Sequence, residues 1–193
     1  MPDNVHALVT TRLGGYSQPP YDSLNLAYHV GDRAEDVEKN RSKLLSRLKL
    51  ESEPCWLDQT HSVEIIRACR DNIGTKADGC YTAETGQVCV VMTADCLPVT
   101  LYNREKSRVA AIHAGWRGLA SGILEKGVAQ VGAENTVAWL GPAIGPKHFE
   151  VGEDVYTAFT AANAEHQKAF IKKNSGKWLA DIYLLARQIL KQL

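Results

Sequence analysis

Cys96 and His113 are the residues in this sequence best equipped for chemistry, and they bracket the core of the stretch TADCLPVTLYNREKSRVAAIHAGWRG, Thr93 to Gly118. Leu97 to Tyr102 is apolar and β-prone, Asn103 to Ser107 is polar and turn-like, and Arg108 to His113 is apolar again, the pattern of a β-hairpin. Strands pairing symmetrically about that five-residue loop bring Cys96 and His113 face to face at the open end, with Cβ atoms about 5 Å apart. A thiol and an imidazole so placed, beside a turn flanked by Gly115 and Gly118, can bind a metal or act as nucleophile and base. The same pair also fits a buried thiol beside a hydrogen-bonded histidine.

His61 supplies a third group. It sits in Thr60-His61-Ser62, a break between two β-prone segments, Cys55 to Gln59 and Val63 to Ala68, where a side chain can be presented to a cleft. A histidine there also serves simply on the surface or as a cap. Two histidines and one cysteine are a known ligand set for catalytic zinc, with the fourth position left open. Zinc so held lowers the pKa of its water to about 7. The ligand must be a thiolate, which the N-terminus of a helix following the hairpin would favour.

The remaining elements must position these groups. Val5 to Thr11 alternates like a strand, and Ser17 to Asn25 is a loop rich in Pro, Ser and Asn. Asp32 with Glu35 reads as a capping box opening a helix over Arg33 to Leu50, with Val37, Leu44, Leu45 and Leu48 at helical spacing and Arg41 on the same face. Val88 to Thr93 is a continuous apolar run expected to be a buried strand delivering the chain to Cys96. A helix is expected over Leu119 to Gln130, a strand over Thr136 to Leu140, a rigid turn over Gly141 to Pro146, a helix over Gly152 to Ala162, and a last helix opened by Asp181. Hairpins outnumber convincing βαβ units. The expectation is an α+β fold of mixed sheets packed in layers with flanking helices, α/β/β/α-like, in a single domain spanning residues 1–193.

Composition bounds the function. Twenty-two basic residues balance twenty-two acidic ones among 193, which argues against a nucleic-acid partner. No apolar run approaches the roughly 18 residues needed to span a bilayer. The first residues, MPDNVHALVTTR, lack the layout of a signal peptide, so a cytoplasmic location is expected. The five cysteines form no CxxC pair and are expected to be free thiols.

Thr10-Thr11-Arg12 with Gly14-Gly15, Ser23-Leu24-Asn25-Leu26, Val30-Gly31-Asp32, Asn40-Arg41, Gln59-Thr60-His61, Ala77-Asp78-Gly79, Thr93-Ala94-Asp95-Cys96-Leu97-Pro98, His113-Ala114-Gly115-Trp116-Arg117-Gly118 and Gly141-Pro142-Ala143-Ile144-Gly145 follow one another in order. Together they resemble the laccase-domain family along nearly the whole chain. The resemblance implies a zinc-dependent purine nucleoside enzyme that phosphorolyses adenosine, inosine, guanosine and S-methyl-5′-thioadenosine and deaminates adenosine. It implies His61, Cys96 and His113 as metal ligands, with Zn2+ expected and Cu2+ also able to bind them. Older descriptions call the family copper-dependent polyphenol oxidases, but a multicopper site needs many more histidines than the six present.

For the implied reactions Asp95 is the candidate acid or the partner of a ligating histidine. Arg41 is the first candidate to anchor phosphate, followed by Arg12 and Arg117, and Asn25 can bind ribose or phosphate oxygens. Arg117 beside Trp116 also fits a purely structural lock on the hairpin end, and Asp78 fits a turn-stabilising role. An alternative enzyme is a metal-free amidase acting on peptidoglycan precursors, with Cys96 as nucleophile and His113 as base. A catalytically inactive partner-binding protein is the third reading. Members of the family are expected to continue beyond the final helix, whereas this chain stops at Leu193. A sheet edge left uncovered there would favour a homodimer.

Overall fold

A computed structural model describes residues 5–193. The chain divides into two compact units, the first ending at Glu53 and the second spanning Pro54–Leu193.

The first unit is built on α1, Ala34–Leu48, which buries Val37 and Asn40. Asn40 holds the Pro- and Ser-rich loop to the helix. Its carbonyl accepts from the Tyr16 N–H at 2.8 Å, and its amide donates to Ser17 Oγ, Ser23 O and Asn25 O. Two expectations fail in this unit. Val5 to Thr11 forms no strand; the segment finds no ladder partner and leaves Leu8 and Val9 about half exposed. The capping box does not form either. Arg33 is the N-cap without a side-chain bond, because Asp32 instead accepts from the Arg33 N–H and the Asn25 amide.

The second unit contains a five-stranded mixed sheet in the order β1-β2-β4-β3-β5. These strands are β1 (Ile65–Arg67), β2 (Gly79–Thr82), β3 (Leu97–Asn103), β4 (Arg108–Ala114) and β5 (Thr136–Leu140), with β1 and β2 parallel and the other pairs antiparallel. The hairpin β3–β4 is the middle of the sheet. Leu97, Val99, Leu101, Ala110, Ile112 and Ala114 are all buried and form one core with the helices. The single helix expected after it is broken: Gly122, at φ +93°, separates α2 (Trp116–Ala120) from α3 (Ile123–Val131). Gly127 lets α3 lie close on the sheet, since a Cβ there would stand 2.3 Å from Ile112 Cδ1.

A second, three-stranded antiparallel sheet, β6 (Glu150–Val151), β7 (Phe170–Lys172) and β8 (Trp178–Ala180), follows in the order β6-β8-β7. In the chain α4 (Glu153–Thr160) follows β6, and α5 (Ile182–Leu190) follows β8. Asp181 caps α5 as expected, accepting from the Leu184 N–H at 2.9 Å. The α+β class with mixed sheets therefore holds, while β6, β7 and β8 form where no strand is expected. The aromatic stack of Tyr156 on Trp178, with ring centroids 3.9 Å apart, seals it.

Three strand expectations are also corrected. Cys55 to Gln59 pairs only through isolated bridges, Cys55 with Cys89 and Asp58 with Lys76. Val63 to Ala68 shortens to β1. Val88 to Thr93 is half-buried and makes no ladder, because the Gln59 side-chain amide takes the place of a strand, donating to Met92 O and accepting from the Met92 N–H. The hairpin register differs as well: Pro98, not Cys96, faces His113.

Candidate metal centre

The corrected register still brings the trio together. His113 is the penultimate residue of β4 and is buried, Cys96 immediately precedes β3, and His61 stands exposed in the break after Thr60. Their ligating atoms all lie within 4.8 Å of one another. Cys96 Sγ is 3.9 Å from His61 Nε2, and the two imidazoles meet edge to face with centroids 4.8 Å apart. Two nitrogens and a sulfur around a tetrahedral zinc are separated by roughly 3.4–3.6 Å, from the usual bond lengths. Closing gaps of up to 4.8 Å to that separation, a shift of roughly 1.2–1.4 Å at most, would therefore seat the ion, and soft thiolate with imidazole suits zinc or copper. Among the described residues this is the one group of histidine, cysteine and acidic side chains able to hold a metal.

Asp78, fully buried in the turn before β2, organises two of the three ligands. It accepts from the Thr60, His61 and Ser62 N–H groups, from Ser62 Oγ, and from His113 Nδ1 at 2.8 Å. The His61 backbone lies in the left-handed region, φ 58°, an uncommon conformation that this ring of hydrogen bonds fixes. Burial pushes the Asp78 carboxyl up, but the hydrogen bonds from His113, Ser62 and Thr60 outweigh it and hold the pKa at about 2. Asp78 is thus an ionised second-layer partner, the role expected of Asp95.

Asp95 is exposed instead, and its backbone carbonyl accepts from the Ile144 N–H at 2.9 Å. Burial first, then the neighbouring Asp95 charge, push the Cys96 thiol up to about 11. That overturns the expected thiolate stabilisation by a helix N-terminus; α2 has only five residues. A bound dication would reverse the balance, since coordination deprotonates a thiol.

The other candidates are placed as follows. Arg117 is exposed on α2 with its guanidinium 4.5 Å over the Trp116 ring. In the first unit, Arg41 Nε and Nη2 both donate to Leu26 O, and the guanidinium lies 4.5 Å from the Tyr28 ring centroid. Asn25 closes its own loop, bonding Ala27 and Asp32, and Arg12 pairs with Asp22 at 3.0 Å. Sequence reasoning undervalued Asp78 and passed over Gly115. A Cβ on Gly115 would lie 3.0 Å from His61 Cδ2 and 3.1 Å from Cys96 Sγ, so any side chain there crowds two of the three. The signals were present in Ala77-Asp78-Gly79 and in the glycine two residues after His113.

Known proteins resemble this chain along nearly its whole length. The family model described as multi-copper polyphenol oxidoreductase laccase matches residues 6–193. The purine nucleoside phosphorylase YfiH of Shigella flexneri is 50% identical over 191 residues, covering 97% of this chain and 78% of that protein. Purine nucleoside phosphorylase PA4543 of Pseudomonas aeruginosa is 51% identical over 189 residues, covering 96% and 77% respectively. Among solved structures, Neisseria meningitidis protein NMB0706 superposes with a TM-score of 0.93 at 46% identity, covering 99% of this chain and 79% of that one. YlmD from Geobacillus stearothermophilus gives 0.84 at 28% identity, covering 95% and 74%. With a family match running from residue 6 to the last residue, and half the positions shared with curated relatives, the chain belongs to the multi-copper polyphenol oxidoreductase laccase family.

Proposed function

We propose that this chain is a purine nucleoside phosphorylase that works with a zinc ion held by His61, Cys96 and His113. The observation that carries the reading is the convergence of those three ligands in a chain half-identical to proteins named purine nucleoside phosphorylase. The expected substrates are adenosine, inosine, guanosine and S-methyl-5′-thioadenosine, with hydrolytic deamination of adenosine as a second activity. Zinc at this position supplies Lewis-acid polarisation of an oxygen.

The chain's own residues supply the rest. Phosphorolysis forms a bond from a phosphate oxygen to ribose C1′ as the bond from C1′ to the purine breaks, and the base leaves with a proton. Asp95, exposed beside Cys96, relays a proton from solvent to the leaving group in this reading, the purine here and the departing ammonia in deamination. Arg117 is the phosphate anchor beside the hairpin, ordered by its stacking on Trp116. Arg41, Arg12 and Asn25 are proposed phosphate and ribose ligands on the strength of the family motifs. In deamination, water replaces the C6 amino group, which departs as ammonia.

The raised Cys96 thiol argues against a metal-free cysteine amidase, since only a thiolate attacks. Zinc-loaded protein incubated with adenosine, with and without phosphate, separates the outcomes. Adenine and ribose-1-phosphate formed only with phosphate support phosphorolysis, and inosine in both tubes supports deamination. Neither product, with zinc confirmed bound, overturns the nucleoside assignment. Activity that survives His61→Ala with no metal bound would favour the alternative, a metal-free amidase.

A further inference from the structure

We propose that Asp78 is a positioning residue that dictates which nitrogen of His113 carries the proton, and so makes His113 a metal ligand through Nε2. The inference rests on the metal-centre reading above, and it comes from counting donors around one carboxylate. Asp78 Oδ1 accepts from the His61 N–H at 3.0 Å and from His113 Nδ1 at 2.8 Å. Oδ2 accepts from the Thr60 N–H at 3.1 Å, the Ser62 N–H at 2.6 Å and Ser62 Oγ at 2.8 Å. Apart from His113, the three backbone N–H groups and the Ser62 hydroxyl all point a donor at these oxygens, and Asp78 is fully buried. A carboxylate can only accept, so the proton on neutral His113 sits on Nδ1. Its free lone pair is then on Nε2, the nitrogen left for the trio.

Asp78 grips His113 twice. The Asp78 backbone carbonyl accepts from the His113 N–H at 2.7 Å, so main chain and ring are both fixed by one residue. The same carboxylate holds the left-handed turn at His61. One side chain therefore sets the aim of two of the three ligands.

Asp78→Asn tests this because it keeps the shape and replaces one acceptor by two donors. With the amide oxygen toward the turn, three donors are satisfied at the Oδ2 position, against two at Oδ1. That orientation turns the NH2 group toward His113 Nδ1, which must become an acceptor, and the proton moves to Nε2. The lone pair needed for metal is lost.

The measurement is the tautomer of His113 in metal-free protein, read from imidazole 15N shifts above the imidazole titration range. Wild-type protein is expected to show the Nδ1–H form and Asp78→Asn the Nε2–H form, with zinc affinity by chelator competition falling about 10–100-fold. Ser62→Ala, which removes one donor without touching His113, is expected to leave the tautomer unchanged. An Nε2–H form in wild-type protein overturns the proposal with no variant needed, as does unchanged zinc affinity in an Asp78→Asn protein whose tautomer has switched. The tautomer is read without metal or substrate. If wild-type protein binds no zinc the metal-centre reading fails by itself, and if it binds zinc without nucleoside turnover only the proposed function fails.

Discussion

Gly115→Ala should separate metal binding from folding. The Gly115 backbone, φ −65° and ψ 161°, is open to any residue, so the substitution introduces no backbone strain. Its effect is steric and local. The new methyl group would lie 3.0 Å from His61 Cδ2 and 3.1 Å from Cys96 Sγ, where non-bonded heavy atoms prefer about 3.5–4.0 Å. Both ligands must retreat by roughly half an ångström, more than the ~0.2 Å tolerance of a metal–ligand distance. His61 is exposed and Cys96 only half-buried, so they can yield. The overpacking cost then falls at the lower end of its usual range, about 1 kcal/mol. A gain of about 0.4–1 kcal/mol from the stiffer unfolded chain offsets it. Urea unfolding of the metal-free variant should thus differ from wild type by less than about 1 kcal/mol. Chelator competition should show zinc affinity reduced about 10–100-fold, the range found when ligands lose their orientation. Wild-type zinc affinity in the variant would refute the argument that this glycine makes room for the trio.

Two further outcomes follow from contacts away from the trio. Tyr183 Oη accepts from the Ala143 N–H at 2.6 Å and donates to Gly141 O at 3.0 Å, tying the Gly141 to Pro146 turn to α5. Tyr183→Phe should cost about 1–3 kcal/mol by denaturant titration and speed hydrogen exchange at Ala143; unchanged exchange there would contradict it. Glu150 accepts from Lys173 and, at 2.9 Å, from Lys177, and these contacts hold its carboxyl at about 2, below its ordinary value. A depressed folded-state pKa contributes stability above the ordinary carboxyl range that is lost as the pH falls through about 2. The melting-temperature gap between wild type and Glu150→Gln should therefore shrink from pH 5 to pH 2, and a constant gap would count against the ion pairs.

The sequence alone determined the hairpin and the final helix and singled out the three residues that come together. An apolar run, a polar turn and a second apolar run leave few options but two paired strands, and Asp181 before a helical apolar face marks its own cap. Residue type narrowed the ligands, because few groups bind a soft dication. Register was beyond its reach. Asn103 reads as a turn residue because it is polar, yet it pairs with Arg108 and is buried, its amide donating to Gly132 O, Glu134 O and Thr136 Oγ1. That lengthens the strand and moves Cys96 away from a position facing His113. Gln59 likewise hid its role, since a side-chain amide replacing a strand leaves no periodic pattern.

The trio was nonetheless assembled, by contacts between residues far apart in the chain. Asp78 is 17 positions from His61 and 35 from His113, and nothing local in the sequence says that its carboxylate serves both. Composition and periodicity report which face of a strand is buried. Which donors surround one buried carboxylate, and therefore which nitrogen of His113 is free for a metal, is decided only when β2 pairs with β4 and the His61 turn closes over them.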